Sequence, residues 1–426
     1  MEMDPKVVAE AVLQQMHGAG FDDSQVSARA VEQDEINIAH NEASLLRSTQ
    51  DYDVAITGIL DGRKASTSLS DVSQSAIAQA IETMRESVSS APQDEANAVS
   101  QDQHDHFEQG PLVSDRELMA SKAIELLDFR KNNTPKIMIE EMTVSHRLSN
   151  FCQMSSRGTA LFGKVGSYEL SCMCIANEAG KTSSMNYSGG RSNDLDSKDA
   201  ADWFGLGEML RDTERQIHTR SAGGRFTGEV VLAPTAVSDL IQWLLQQLGS
   251  QALISGSSCY RELVDSPVAA KELFLHSDFA APGHAPFSGD GFVAAPLTLI
   301  DAGRLKALLP DLYGSRKTGL THVPSTSGWR IDPGKRSRED LIAEVKEGAL
   351  VTRFSMGMPA ANGDFSGIIK NSFIIEDGRV GEGLAETMVT GNMAQMLKDV
   401  SGISREHISY GGEDYPWLRI PGLHFS

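Results

Sequence analysis

The chain has 426 residues, 40% of them apolar and 23% charged, which fits about two or three folded domains and excludes wholesale disorder or a coiled-coil rod. Its 38 Lys and Arg stand against 58 Asp and Glu, a net charge of −20, and so acidic a surface repels phosphate backbones and anionic lipid. Neither nucleic acid nor a membrane is an expected partner.

The start, Met1-Glu2-Met3-Asp4-Pro5, is acidic where a signal peptide is basic, and no apolar run approaches the ~18 residues of a membrane span, so a cytoplasmic protein is expected. Asp4 as cap, Pro5 in the first turn, and Val8, Val12 and Met16 at fourfold spacing predict a first helix that Gly18 and Gly20 stop. Short strands are predicted over residues 26–31 and 36–39. Residues 54–60 and 63–69 flank Asp61-Gly62, a hairpin turn whose positive φ glycine tolerates. Asp71 is the predicted cap of a helix that carries Ile77, Ile81, Met84 and Val88 on one face.

Residues 89–113 hold few large apolar side chains and several acids, and predict a mobile acidic linker. Within it, His104-Asp105-His106, with Asp102 and Glu108 nearby, offers cation ligands, but a solvated loop is the simpler reading. Ser114 and Glu117 read as a capping box for a helix with Leu118, Ile124 and Leu127, followed by strands over 136–150 and 165–175. The four cysteines, Cys152, Cys172, Cys174 and Cys259, are too few for a disulfide scaffold. Cys172 and Cys174 share one strand face and read as core filler before metal ligands.

Character changes at Gly223-Gly224-Arg225. Beyond it come a strand at 228–234 ended by proline, a helix over 235–248, and β-like pieces at 292–300, 349–354 and 373–375. The expected fold class is α+β: an N-terminal mixed sheet-and-helix domain over 1–224, then a β-rich domain over 225–426. Neither Gly205-Leu206-Gly207 nor Gly314-Ser315-Arg316-Lys317-Thr318-Gly319 completes a nucleotide-binding motif, and no nucleophile elbow occurs.

The order of Asp332-Pro333-Gly334, Asp340-Leu341-Ile342, Glu347-Gly348, Gly363-Asp364-Phe365-Ser366, Ile375-Glu376-Asp377-Gly378-Arg379 and Thr390-Gly391-Asn392-Met393 resembles the C-terminal domain of the TldD/PmbA family. The hairpin at Asp61-Gly62-Arg63 and the turn Phe287-Ser288-Gly289-Asp290-Gly291 resemble it as well. The resemblance implies a peptidase family. Its TldD-type subunits hold zinc through a His-Glu-x-x-x-His segment and a C-terminal cysteine; zinc brings the pKa of bound water towards ~7 and the glutamate takes the proton. On an ungapped register those positions here are Gln242, Trp243 and Gln247, and the cysteine region reads Ser409-Tyr410-Gly411-Gly412. A neutral amide is a poor zinc ligand and Trp carries no basic group.

The losses resemble the PmbA (TldE) branch. They imply a non-catalytic subunit with no cofactor of its own, whose zinc-bearing TldD-type partner degrades or matures unfolded peptides. Peptide-cleft candidates on this reading are Gln242, Trp243, Gln247 and Tyr410, with Gly363, Asp364, Phe365 and Ser366 as cleft or turn residues. The plainer alternatives are that Gln242 and Gln247 are polar positions on an amphipathic helix and that 363–366 is a structural turn. A stand-alone peptide-binding homodimer and a hydrolase with another site stay open beside the heterodimer.

Overall fold

A computed structural model describes residues 4–426; Met1–Met3, which belong to the acidic start read above, lie outside the described residues. The fold is mixed α and β, built on two sheets. In the first half, α1 (Pro5–Gly18) is followed by β1 (Asp23–Ala39), β2 (Glu42–Leu60), β3 (Arg63–Leu69), α2 (Gln74–Val88), β4 (His104–Gln109), α3 (Arg116–Asn133), β5 (Ile137–Ser155), β6 (Ala160–Glu178), β7 (Lys181–Thr182) and β8 (Asn186–Ser192). The sheet runs β3-β2-β1-β5-β6-β4, and β8 pairs with the second half of β6.

The two short strands predicted at 26–31 and 36–39 are one, β1. Glu35 between them stays in the ladder although buried, because Arg47 (3.2 Å), Gln33 (2.8 Å) and Asn37 satisfy its carboxylate. One side of the sheet carries α1 and α2, whose Val8, Val12, Met16, Ile77, Ile81 and Met84 bury against Val26, Ala28, Val54 and Ile56. A second core joins Met119, Ala123 and Leu126 of α3 to Met142, Leu170, Cys172 and Cys174, so both thiols of that strand are core residues.

Three local expectations change. Ser73, not Asp71, caps α2, because its Oγ accepts from Ala76 N–H while Asp71, two residues earlier, accepts from Ser73 N–H. Asp115, not Ser114, caps α3 through Leu118 N–H at 2.9 Å, and Ile124 faces solvent. The acidic stretch 89–113 is no loose linker: it contains β4, paired parallel to β6, and buries Ala96, Val99 and Ser100. Its polar groups hold it down where apolar ones are scarce. Asp94 accepts from Tyr313 Oη (2.8 Å) and Lys317 Nζ (3.1 Å) of the second half, and Ser100 N–H donates to Gln25 Oε1 (2.9 Å). The other end of the same amide, Gln25 Nε2, donates to the Asp290 carbonyl at 3.2 Å.

After α4 (Leu206–Arg215), the two-residue β9 (Thr219–Arg220) leads into β10 (Phe226–Leu232) and α5 (Pro234–Leu248). β10 lies between strand Glu413–Phe425, antiparallel, and strand Glu347–Val351, parallel, inside the second, 14-stranded sheet of the described residues. α5 packs its Leu240, Ile241, Leu244 and Leu248 on that sheet, in the largest core of the molecule. The strand predicted at 292–300 starts only at Leu297: Pro296 has no N–H to give a ladder, and Ala294 N–H turns back to the Pro286 carbonyl instead. The piece at 349–354 belongs to two strands, Glu347–Val351 and Arg353–Met356. The piece at 373–375 lies in Phe373–Glu376.

Candidate functional site: a cleft between the two sheets

Two adjoining cavities of about 410 and 580 Å³ open between β8, α4, α5 and the start of strand Glu413–Phe425, and share Tyr187, Ser188, Gly189, Tyr410 and Glu413 as walls. Pro234 begins α5 with a ring that needs no N–H partner, and from there Thr235, Ser238, Asp239 and Gln242 recur at three- and four-residue spacing along the face that lines the smaller cavity. Ser238 Oγ donates to Glu413 Oε2 at 2.5 Å, and Gln242 Nε2 reaches Glu413 Oε1 at 3.3 Å and Ser238 Oγ at 3.2 Å.

Carboxyls dominate this cavity. Burial first and the charge of Glu413 second push Asp239 up to about 6; burial and the charge of Glu208 do the same to Asp212. Burial, with Glu208 and Glu413 adding, drives the Tyr410 phenol far above its ordinary value, so it is a neutral hydroxyl at any physiological pH.

The positions singled out in the sequence separate. Gln242 and Tyr410 line the cleft. Trp243 turns into the core, 2% exposed, with its indole N–H on the Ala360 carbonyl (3.2 Å) and its ring edge-on to Tyr260 at 5.9 Å. Gln247 is buried with its Oε1 unpartnered among the described residues. One helix therefore points Gln242 into the cleft and turns Trp243 and Gln247, one turn apart, into the core, and the amide of Gln242 is already engaged. Neither donor chemistry nor direction fits zinc here, and no group of three or more His, Cys, Asp and Glu among the described residues converges as a metal site. His104 and His106 are exposed on β4 without a third ligand.

Residues 363–366 lie away from both cavities and form a turn and strand start: Gly363 takes φ +95°, Asp364 accepts from Asn362 and Asn392 side chains at 2.8 Å each, and Phe365 packs edge-on to Phe354.

The sequence reading passed over the strand edge that forms the opposite wall. On its inner side β8 pairs with β6; on its outer side Arg191 N–H donates to the Tyr410 carbonyl at 3.1 Å. By the two-residue period of a strand, Gly189 points its N–H and C=O the same way, into the cleft, where no backbone partner meets them among the described residues. Gly190 is glycine for a steric reason, since a Cβ there would lie 2.6 Å from the Tyr410 oxygen and 2.7 Å from the Phe204 ring. The pair Gly189-Gly190 inside an otherwise strand-like run was the available signal, because adjacent glycines in a strand mark a close backbone approach.

Residues 225–426 match the family of the PmbA/TldA metallopeptidase C-terminal domain. Across 99% of this chain and 98% of the other, it is 23% identical to Metalloprotease PmbA of Escherichia coli O157:H7; across 48% of this chain and 51% of the other, it is 23% identical to the Zinc metalloprotease TldD homolog of Saccharolobus solfataricus. In fold it is similar to TldE from Thermococcus kodakarensis, with TM-score 0.82 at 17% identity over 98% of this chain and 100% of that chain. Residues 225–426 are therefore a PmbA/TldA metallopeptidase C-terminal domain, and the likeness to PmbA runs through nearly the whole chain.

Proposed function

We propose that this chain is the non-catalytic subunit of a TldD/TldE-type zinc peptidase, and that it holds an extended, unfolded peptide by adding it as a strand to the open edge of β8. The observation that carries the reading is the outward N–H and C=O of Gly189 in a cleft walled by α5 and Tyr410. Main-chain pairing ignores side chains, so it selects for extension over sequence, and each bond adds ~0.5–1.5 kcal/mol net. Gln242, Glu413 and Tyr410 form the facing wall. Their hydroxyl, carboxylate and amide groups orient a peptide but cannot polarise its carbonyl and activate water as a metal does.

Zinc, and the glutamate that takes the proton, belong on this reading to the TldD-type partner in a cytoplasmic heterodimer; the Gln, Trp and Gln of the lost motif support that division. No helix among the described residues is long and apolar enough to cross a membrane. The test is peptide cleavage by this chain, by a zinc-bearing TldD-type subunit, and by their mixture. Activity should arise on mixing and vanish with chelator. Chelator-insensitive cleavage by this chain alone would reject the reading, and equal peptide capture without any partner would favour a stand-alone homodimer.

A further inference from the structure

The two adjoining cavities are walled by carboxyls that the chain does not neutralise. Six acids line them against two arginines, Arg191 and Arg353. Both guanidiniums are taken: Arg191 by Glu169 and His284 at 3.3 Å each, and Arg353 by the Met185 carbonyl and Asn371 Oδ1 at 3.1 Å each, with the Tyr187 ring 4.8 Å away. His284 adds no charge, since burial and the neighbouring guanidiniums hold its pKa below the ordinary histidine value. Among the acids, Glu169 meets Arg191, Glu208 meets Arg338 and Asp212 meets Arg215 at 3.2 Å. Glu141, Asp239 and Glu413 have no ion-pair partner among the described residues.

Glu413 stands at the centre, because it belongs to both cavities. Neutral donors hold it: Ser238 Oγ at 2.5 Å on one oxygen and Gln242 Nε2 at 3.3 Å on the other. They fix where the carboxylate points without discharging it. Asp239, the residue after Ser238 on α5, lines the smaller cavity with it, so two like charges share one site with no cation between them. An observation independent of charge points to a ligand at the same place. The Tyr410 phenol faces both cavities, stays neutral because burial opposes its ionisation, and has no hydrogen-bond partner among the described residues. Its oxygen can accept from an ammonium or guanidinium the hydrogen bond that no side chain of this chain supplies.

We propose that the cleft selects peptides with a basic side chain, and that the ammonium of a Lys or the guanidinium of an Arg seats beside Glu413 and Tyr410, with Asp239 completing the site. The inference rests on the strand-edge reading above. On that reading the peptide main chain is held at Gly189 on one wall while the acids stand on the facing wall, so a long side chain has to cross between them. Lys and Arg have the length, and their heads carry donors without acceptors, which matches carboxylates and a neutral hydroxyl. The net charge of −20 acts in the same sense at longer range, drawing basic segments in and repelling acidic ones.

The test is titration of the full chain, above about pH 7 where Asp239 is ionised, with an N-dansyl, C-amidated pentapeptide of alanines whose central residue is Lys, norleucine or Glu. Norleucine keeps the lysine stem without its charge. The Lys peptide should bind about 10-fold tighter than the norleucine peptide, as expected of a charge-assisted contact, and the Glu peptide weakest. E413Q should erase most of that ratio and D239N should reduce it, with melting curves confirming the fold. E262Q, which removes an exposed acid that lines neither cavity, should keep it. Three equal affinities, a full ratio kept in both E413Q and D239N, or the same loss in E262Q overturn the site and leave the strand-edge reading intact. N-methylation of the two residues flanking Lys, which blocks main-chain pairing, should abolish binding. A Lys peptide that binds equally well once methylated keeps the cation site and removes strand-edge pairing. Binding by none removes both.

Discussion

The backbone N–H of Arg191 donates to the carbonyl of Tyr410 at 3.1 Å, so the outer edge of β8 is fastened to the second sheet at one end and open at Gly189. The fastening depends on the missing side chain of Gly190, where an alanine Cβ would meet the Tyr410 oxygen at 2.6 Å. Gly190→Ala should cost about 1–3 kcal/mol, as overpacking does. It should also weaken peptide binding. Thermal melts and peptide titration of the variant test both; an unchanged melting temperature would mean the approach is looser than described.

Rebuilding the family's metal motif at 242, 243 and 247 should not create a zinc enzyme. Trp243 fills the core, and Trp243→Ala should cost about 3–5 kcal/mol. Trp243→Glu adds a buried unpaired charge to that loss. The purified wild-type chain and the triple His-Glu-His variant should both hold far less than stoichiometric zinc after dialysis. Elemental analysis near one zinc per chain in either would overturn this.

Gln242 is exposed in the cleft and its side chain hydrogen-bonds, among the described residues, to Ser238 and Glu413, so Gln242→Ala should leave the joint activity with a TldD-type subunit within about fivefold, since an exposed neutral hydrogen bond is worth ~1 kcal/mol or less. A loss of a hundredfold would give this amide a role in the reaction.

Asp239 sets a pH dependence. Its folded-state pKa, about 6, lies above its ordinary 3.8, so between these values the folded chain binds more protons than the unfolded one and stability falls as pH rises through that window. Asp239→Asn removes the group that must ionise in the cleft. Against wild type, the variant should gain melting temperature progressively from pH 4 to 6 and hold the gain above it. A difference independent of pH would show that burial does not control this carboxyl.

Limited proteolysis should spare residues 104–109 and cut first near Arg225, which is exposed beside Gly223 and Gly224. Early cleavage inside β4 would return the acidic stretch to the mobile state its composition suggests.

The regular elements were legible where periodicity and caps agree, as in α1, α5 and the hairpin at Asp61-Gly62. The long ladder of β1 was not, because the polar run through Glu35 breaks the apolar alternation and is rescued by Gln33 and Asn37 beside it and by Arg47 from the neighbouring strand. The packing of 89–113 was hidden for a similar reason: its anchors, Tyr313 and Lys317, stand more than 200 residues away. At the site, Gln242 and Tyr410 could be found by register, but helix geometry, which sends Trp243 inward, and the edge of β8 needed the third dimension.

The amide of Gln25 has a wider consequence. One end receives Ser100 from the acidic stretch and the other gives to Asp290 from the second half, so three distant pieces of chain share a single side chain at the seam between the sheets. Such a seam ties the melting of each half to that of the other, and a chain built from two large sheets should unfold as one cooperative unit. Gln25→Ala, by cutting both ties at once, should broaden the calorimetric transition or split it in two.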